Sequence, residues 1–313
     1  MEDLDKEKPL NQILLADDSE RKIVQAEGTR WGELIIPAKH ENPDKNNGGF
    51  RVLAVASFFY GYQMFETLKA CEKRYPERLN IVGLVTDDPA NPEAKICSKK
   101  RIWRLFDEDE KLDQEKAVIE SALTFGVPSY SGEVKTDYFQ KLLKHWNPDA
   151  ILVFVFGQIF NRKIINFPDF GIYNFHPADL LNHYGAGPQP FQDMIDRKAD
   201  TSKLTIHHII EDVDAGSVVG QSPPVNIKLK NGNHTDNNLL LEDKLMEPVD
   251  RMAARLISEL ILRKESDKTG KIDTIDFDNC FTDQQKQSLL LPIQSLKYQD
   301  KLPVLNRDLE FFT

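Results

Sequence analysis

Beyond residue 49 the chain alternates short apolar runs with amphipathic segments. RVLAVAS (51–57) is a β-branched apolar run of the kind shown by a strand buried on both faces. YQMFETLKACEKRY follows with helical spacing, and Leu79 to Val85 forms a second apolar run that stops at the turn residues Asp87, Asp88 and Pro89. Asp113 to Phe125 again has helical spacing and is closed by Gly126 and Pro128. VKTDYFQKLLKHW places Tyr138, Phe139, Leu142, Leu143 and Trp146 on one helical face, with Thr136 or Asp137 positioned as N-cap. AILVFVF (150–156) is the most apolar strand candidate of all. Strand, helix, strand, helix, strand predicts an α/β architecture in which crossover helices cover both faces of a parallel sheet.

The pattern loosens on either side. GIYNFHPADLL (171–181) and SKLTIHHII (202–210) read as further strands, and residues 235–263 as helical. Within that helical stretch Leu245, Val249, Met252, Leu256 and Leu260 step by four, three, four and four, and Pro248 marks a kink or a helix start. Residues 264–313 are polar and irregular apart from anchors such as LLLPI. Residues 1–49 are polar and end in HENPDKNNGG, a linker signature, with ELIIPA fitting one short strand. The expected division is an arm over 1–49, a main α/β domain over 50–230, and a helical extension and tail over 231–313.

Composition narrows the class. Apolar residues make up 40% of the 313, enough for a sizeable core, and the net charge is −10. That acidic balance weighs against a nucleic-acid backbone as the main partner. Cys71, Cys97 and Cys280 are far apart and form no CxxC pair, which points away from zinc-ribbon and thioredoxin-like chemistry and suits a reducing compartment. MEDLDKEKPL has no apolar segment of a secretory signal, and no apolar run reaches the ~20 residues that span a bilayer, so a cytoplasmic protein without membrane association is expected.

The chemistry concentrates in GIYNFHPADLL. Strand side chains alternate faces, so Asn174 and His176 share one face while Phe175 points the other way. Pro177 has no N–H and ends the ladder. In an open α/β sheet ligands bind at the carboxyl ends of strands, where this amide and imidazole would project together. Asn offers a neutral donor for a developing oxyanion, and His moves protons near neutral pH. A strand-end Asn and His can equally serve to satisfy backbone groups. Downstream, LTIHHIIEDVDAGSVVGQ (204–221) holds Asp214 in an Asp-Ala-Gly turn, where a carboxylate could orient His176 or simply cap the turn, and Gly216 supplies conformational freedom.

The order FGQIF, YNFHP, LLxxYGxGP, TIH, EDVDAG and GQ, strongest over 156–221, resembles the formyltransferases that use 10-formyltetrahydrofolate, among them the glycinamide ribonucleotide, methionyl-tRNA and sugar N-formyltransferases. The resemblance implies a Rossmann-like, mostly parallel sheet with flanking helices. It implies Asn174, His176 and Asp214 as the catalytic set. A neutral acceptor amine attacks the formyl carbon, Asn174 and protonated His176 stabilise the oxyanion, and Asp214 tunes His176 and relays the amine proton. The donor 10-formyltetrahydrofolate would lie along Gly157, Gln158, Ile159 and Phe160 and against Glu211, Asp212 and Val213, read largely by backbone groups. His207, the His of TIH, is expected to be structural, and no covalent intermediate or metal is implied. No His or carboxylate spacing matches a metal motif.

HPADLLN and HYGAGPQPF depart from the family pattern, which leaves the acceptor open, with Asp179, Tyr184 and Gln189 as candidate acceptor contacts. No GxGxxG follows a strand and no GxxxxGK[ST] is present, so nicotinamide and ATP chemistry are disfavoured. The basic SKKRIWR (98–104) is either a solvated turn or a contact for phosphate or folate glutamate, Lys99 to Arg104 being its charged core. The leading expectation is a small amine acceptor, a nucleotide-linked amino sugar. The alternatives are methionyl-tRNA formyltransferase, formyltetrahydrofolate hydrolase and a non-catalytic folate-binding protein. The helix over 243–263 serves a homodimer contact as readily as packing on its own sheet.

Overall fold

The computed structural model describes residues 19–26, 29–38, 49–87, 117–182, 185–187 and 190–294. Three apolar runs form the centre of the sheet: β3 (Phe50–Ala56), β4 (Leu79–Thr86) and β6 (Ala150–Phe154). Alternation divides their side chains between two cores. Val52, Ala54, Leu152 and Phe154 face one, and Leu53, Val55, Ile151 and Val153 face the other. Both faces are covered, which is why these strands read as continuous apolar runs rather than as alternating ones.

Nine strands make one sheet. The others are β1 (Glu20–Ala26), β2 (Thr29–Ile36), β5 (Ser129–Gly132), β7 (Ile172–His176), β9 (Thr205–His208) and β10 (Val218–Gln221). The order is β1-β2-β5-β4-β3-β6-β7-β9-β10. The inner strands β5, β4, β3, β6 and β7 are parallel, and antiparallel strands extend both edges. The two-residue strands β8 (Thr201–Ser202) and β11 (Val225–Asn226) pair in a small second sheet.

The helices follow from the apolar spacing. α1 (Phe58–Arg74) and α2 (Ala117–Thr124) cover one face of the sheet, α2 beginning later than the spacing from Asp113 suggests because 113–116 lie outside the described residues. α3 (Asp137–Trp146) covers the other and buries Phe139, Leu142, Leu143 and Trp146, the face expected. Thr136 caps it, its hydroxyl accepting from the Phe139 N–H at 3.1 Å, and Asn147 in the left-handed region ends it. Three short segments follow, α4 (Arg162–Ile165), α5 (Pro190–Asp196) and α6 (Asn238–Met246). Pro248 marks a helix start, immediately before α7 (Val249–Glu265), whose Val249, Met252, Leu256 and Leu260 are buried against α1 and the sheet. α8 (Asp283–Leu289) opens with a capping box from Thr282 and Gln285. Among the described helices none is long and apolar enough to cross a membrane.

One expectation is revised and another is extended. The polar stretch before residue 49 contributes a hairpin, not one short strand: β1 pairs with β2, and β2 pairs antiparallel with β5, continuing the sheet. The described part of the segment after 264, residues 266–294, is largely irregular, as expected, and more of it than the LLLPI anchor packs on the domain. Ile272, Ile275, Phe277, Phe281 and Ile293 are buried, the Ile275 N–H donates to the Val219 carbonyl at 2.8 Å, and the Tyr173 hydroxyl accepts from the Ile272 N–H at 3.0 Å. Its polar composition reflects one-sided burial along an edge.

Candidate active site

The parallel strands β6 and β7 deliver the site at their carboxyl ends. After β6 the chain turns sharply at Val155, whose φ of 46° is a strained value for a β-branched residue. That turn throws 156–160 outward to form one wall of a cavity of about 230 Å³. Asp87, at the end of β4, holds the wall in place. Its carboxylate accepts from the Gly157 N–H and from the Gln158 amide at 2.8 Å. Gln158 also donates to the Gly132 carbonyl and accepts from the Val134 N–H, at 2.9 and 3.0 Å. Its amide is thus fully engaged in structure, and any ligand contact here falls to the wall's backbone and apolar side chains.

All seven residues assigned to the donor line this cavity: Gly157, Gln158, Ile159 and Phe160 on one wall, Glu211, Asp212 and Val213 on the other. Ile159, Ile210 and Val213 are exposed apolar side chains at 41%, 39% and 55%, giving the cavity an apolar rim suited to a flat ring.

Asn174, His176 and Asp214 all line it too, as does His207. The pairing of β7 with β9 sets Asn174 directly opposite His207. His207 Nδ1 lies 2.9 Å from the His208 carbonyl, which only accepts, so Nδ1 carries the hydrogen and Nε2 is left as an acceptor. Nε2 lies 3.0 Å from the Asn174 amide nitrogen, which therefore donates to it. His207 fixes the orientation of Asn174 and leaves the second amide hydrogen of Asn174 without a partner among the described residues. His176 Nε2 donates to the Gly185 carbonyl at 2.7 Å, and its Nδ1 faces Asp214 Oδ1 at 3.7 Å. Gly185 has a φ of 67°, and a Cβ there would lie 2.7 Å from the Ala178 side chain, so glycine is required to bring that carbonyl in.

Asp214 sits in the left-handed region at φ 53°, which Asp tolerates. Its Oδ2 accepts from the Gly187 N–H at 2.9 Å, and its Oδ1 lies 3.6 Å from His207 Nε2. Burial raises the Asp214 carboxyl, but the His207 and His176 rings, whenever they carry a proton on the nitrogen facing it, and the Gly187 N–H outweigh burial and hold the group below its ordinary value. Burial also lowers His176 below the ordinary imidazole value, against the opposing pull of Asp214 and the Gly185 bond. The resting His176 is therefore neutral at neutral pH, and a protonated His176 at the oxyanion stage requires that the ring gain its proton during the reaction. Gly216 is needed for a different reason than turn conformation, since a Cβ there would sit 1.7 Å from the His208 carbonyl oxygen.

Of the acceptor candidates, Asp179 lies outside the cavity. Its carboxylate accepts from the Asn182 amide at 2.6 Å and from Gln221 at 2.8 Å, which closes the turn after β7. Tyr184, Gln189 and Lys99 to Arg104 lie outside the described residues. The sequence reading missed Glu242, on α6, which lines the cavity while only 4% exposed. Burial, with the neighbouring Asp243 charge, pushes it up to about 8. A charged residue in an apolar helix segment was the available signal.

A family model described as formyl transferase matches residues 65–246, more than half of the chain. The chain belongs to the formyl transferase family. Relatives of this family member include a methionyl-tRNA formyltransferase of Bacillus licheniformis, 28% identical over 58% of this chain and 50% of that protein. Another, from Halalkalibacterium halodurans, is 32% identical over 37% of this chain and 34% of that protein. The first curated relatives are matched over 25% to 50% of their own length. Among solved structures, a phosphoribosylglycinamide formyltransferase of Bacillus halodurans shares the fold, with a TM-score of 0.50, 18% identity, and coverage of 69% of this chain and 96% of that one. The mostly parallel sheet with flanking helices is thus the formyltransferase fold.

Proposed function

We propose that the protein transfers the formyl group of 10-formyltetrahydrofolate to a primary amine. The observation carrying this reading is the convergence of Asn174, His176 and Asp214 on one cavity whose walls are 156–160 and 211–213. The acceptor nitrogen attacks the formyl carbon, and the carbonyl oxygen becomes an oxyanion. The second amide N–H of Asn174 donates to that oxygen, held in place by His207. Neutral His176 takes the amine proton on Nδ1, and the imidazolium so formed is stabilised by Asp214. The bond from carbon to the folate nitrogen then breaks, that nitrogen receives the proton, and tetrahydrofolate leaves. For His176 also to donate to the oxyanion, the Gly185 carbonyl must first give up Nε2–H.

The names of the relatives support methionyl-tRNA as acceptor, and none supports the amino sugar expected from sequence. A second reading, a small hydroxylated amine, has one specific support: Glu242, a buried carboxyl on the cavity wall, suits a hydroxyl or ammonium group of a compact acceptor. Incubation of 10-formyltetrahydrofolate with charged methionyl-tRNA, and separately with a panel of amino sugars, decides between them. Formyl transfer to the tRNA-borne methionine removes the small-acceptor reading. Transfer to one sugar alone removes the tRNA reading. Tetrahydrofolate release with no acceptor overturns the transferase.

A further inference from the structure

The hydrogen bonds behind the two histidines leave an unusual arrangement in front of them. His207 Nδ1 donates to the His208 carbonyl and His176 Nε2 to the Gly185 carbonyl, so each neutral ring turns a lone pair inward. Both inward nitrogens face the same atom, Asp214 Oδ1, His176 Nδ1 at 3.7 Å and His207 Nε2 at 3.6 Å. One ligand atom from each of the three residues lies within 4.8 Å of the others. Three acceptors thus confront one another, and among the described residues the Asn174 amide is the donor that reaches one of them. Both histidines are buried, the Asp214 side chain is 11% exposed, and all three border the cavity.

We propose that His176, His207 and Asp214 bind one divalent transition-metal ion of the zinc type, and that its occupancy blocks formyl transfer. Two imidazoles and a carboxylate suit zinc, nickel or copper, whereas magnesium and calcium require oxygen ligands. Histidines that hold metal characteristically donate their other N–H to a carbonyl, as both do here. Bonds of ~2.0–2.2 Å to a tetrahedral ion place ligand atoms ~3.3–3.6 Å apart. The distances to Asp214 Oδ1 come within a few tenths of an ångström of that range and close by small side-chain rotations. The cavity that all three residues border can supply the fourth ligand, such as water. If the Asn174 amide flips, its oxygen can turn to the ion in exchange for the bond to His207. The ion would occupy the Nδ1 lone pair and hold the carboxylate that proton transfer needs. The blocking effect rests on the formyl-transfer reading; the binding does not. The residues are far apart in sequence, so no motif announces them, and the β7–β9 pairing brings them together.

The test uses the full chain freed of metal with a chelator. Zinc is titrated against a chromophoric competitor, and X-ray absorption is recorded on the loaded protein. The expected result is one ion per chain, a nitrogen and oxygen shell with imidazole scattering and no sulfur, and no competition by magnesium. His207→Ala and Asp214→Asn, each checked for folding by circular dichroism, should weaken binding by more than the ~10–100-fold seen for loss of an outer partner. His234→Ala, at a histidine bonded to the Ala199 carbonyl, should leave it unchanged. Zinc should abolish formyl transfer at the same midpoint as binding, with recovery on chelation. Absence of stoichiometric binding, sulfur in the shell, or undiminished affinity in folded His207→Ala would overturn the site. If the variants do not fold, the absorption spectrum of the native chain decides. Binding without loss of a demonstrated transferase activity would overturn the blocking role alone, and absence of any transferase activity would count against the functional reading while leaving the metal site tested on its own.

Discussion

Replacing Asp214 with Asn tests the charge at the centre of the site while sparing its shape. Asn is isosteric and tolerates the left-handed backbone at this position, so the turn and the Gly187 bond to Oδ2 can persist. What disappears is the negative charge 3.7 Å from His176 Nδ1. At an effective dielectric of ~20, an imidazolium and a carboxylate at that separation attract by about 4.5 kcal/mol, equivalent to roughly 10³-fold in rate if the imidazolium forms in the transition state. A loss of that order lies within the ~10²–10⁴ range of general acid–base catalysis. The assay is tetrahydrofolate release at saturating donor and acceptor, with thermal melting to confirm folding. Because Asp214 raises His176, its removal should also shift the acid limb of the residual rate to lower pH. A folded variant that loses less than ~10-fold in kcat, or whose acid limb moves upward, would refute the assignment of His176 as proton acceptor beside Asp214.

Asn174→Ala should lower kcat by ~10²–10³ with donor affinity unchanged, measured by turnover alongside folate titration. Since burial holds His176 below the ordinary imidazole value, and the neutral ring is the active form, kcat should be full at neutral pH and fall only below ~6.5; a limb centred above that value contradicts the neutral resting state. Glu242, with a folded value of about 8 against an ordinary 4.5, contributes stability that is present below 4.5 and lost as pH rises towards 8. Glu242→Gln should therefore be more stable than the native chain in denaturant melts above pH ~8, by on the order of 3–5 kcal/mol, with the gap closing near pH ~5 and acceptor KM raised. Gly216→Ala should destabilise by ~1–3 kcal/mol or more and cut activity, because its Cβ can be accommodated only by moving the His208 carbonyl that anchors His207; denaturant melts and turnover check both.

Local pattern was enough for the centre of the fold. The strands β3, β4 and β6 are short enough and apolar enough to stand out, and the Phe139, Leu142, Leu143 and Trp146 stripe of α3 is unambiguous. Asn174 and His176 were legible because a strand alternates, and proline told where it stopped. Distant pairing was not legible. A structural role for His207, away from His208 on the other face, is what the sequence suggests, but nothing local names Asn174 as the residue that His207 lies opposite and orients. Edge strands are the other blind spot: β1 is ERKIVQA, polar enough to pass for linker, because only a central strand needs two apolar faces. For Asp179 the sequence leaves an acceptor contact and a solvated loop carboxylate both open, because its partners, Asn182 and Gln221, are supplied by the turn and by β10.

The most direct test of the central claim is the fate of the formyl carbon. With isotopically labelled 10-formyltetrahydrofolate, the native chain and an amine acceptor, the label should appear on the acceptor nitrogen in step with tetrahydrofolate release, and Asn174→Ala should suppress both together. Label recovered as free formate, or equal transfer by native chain and variant, would contradict the account.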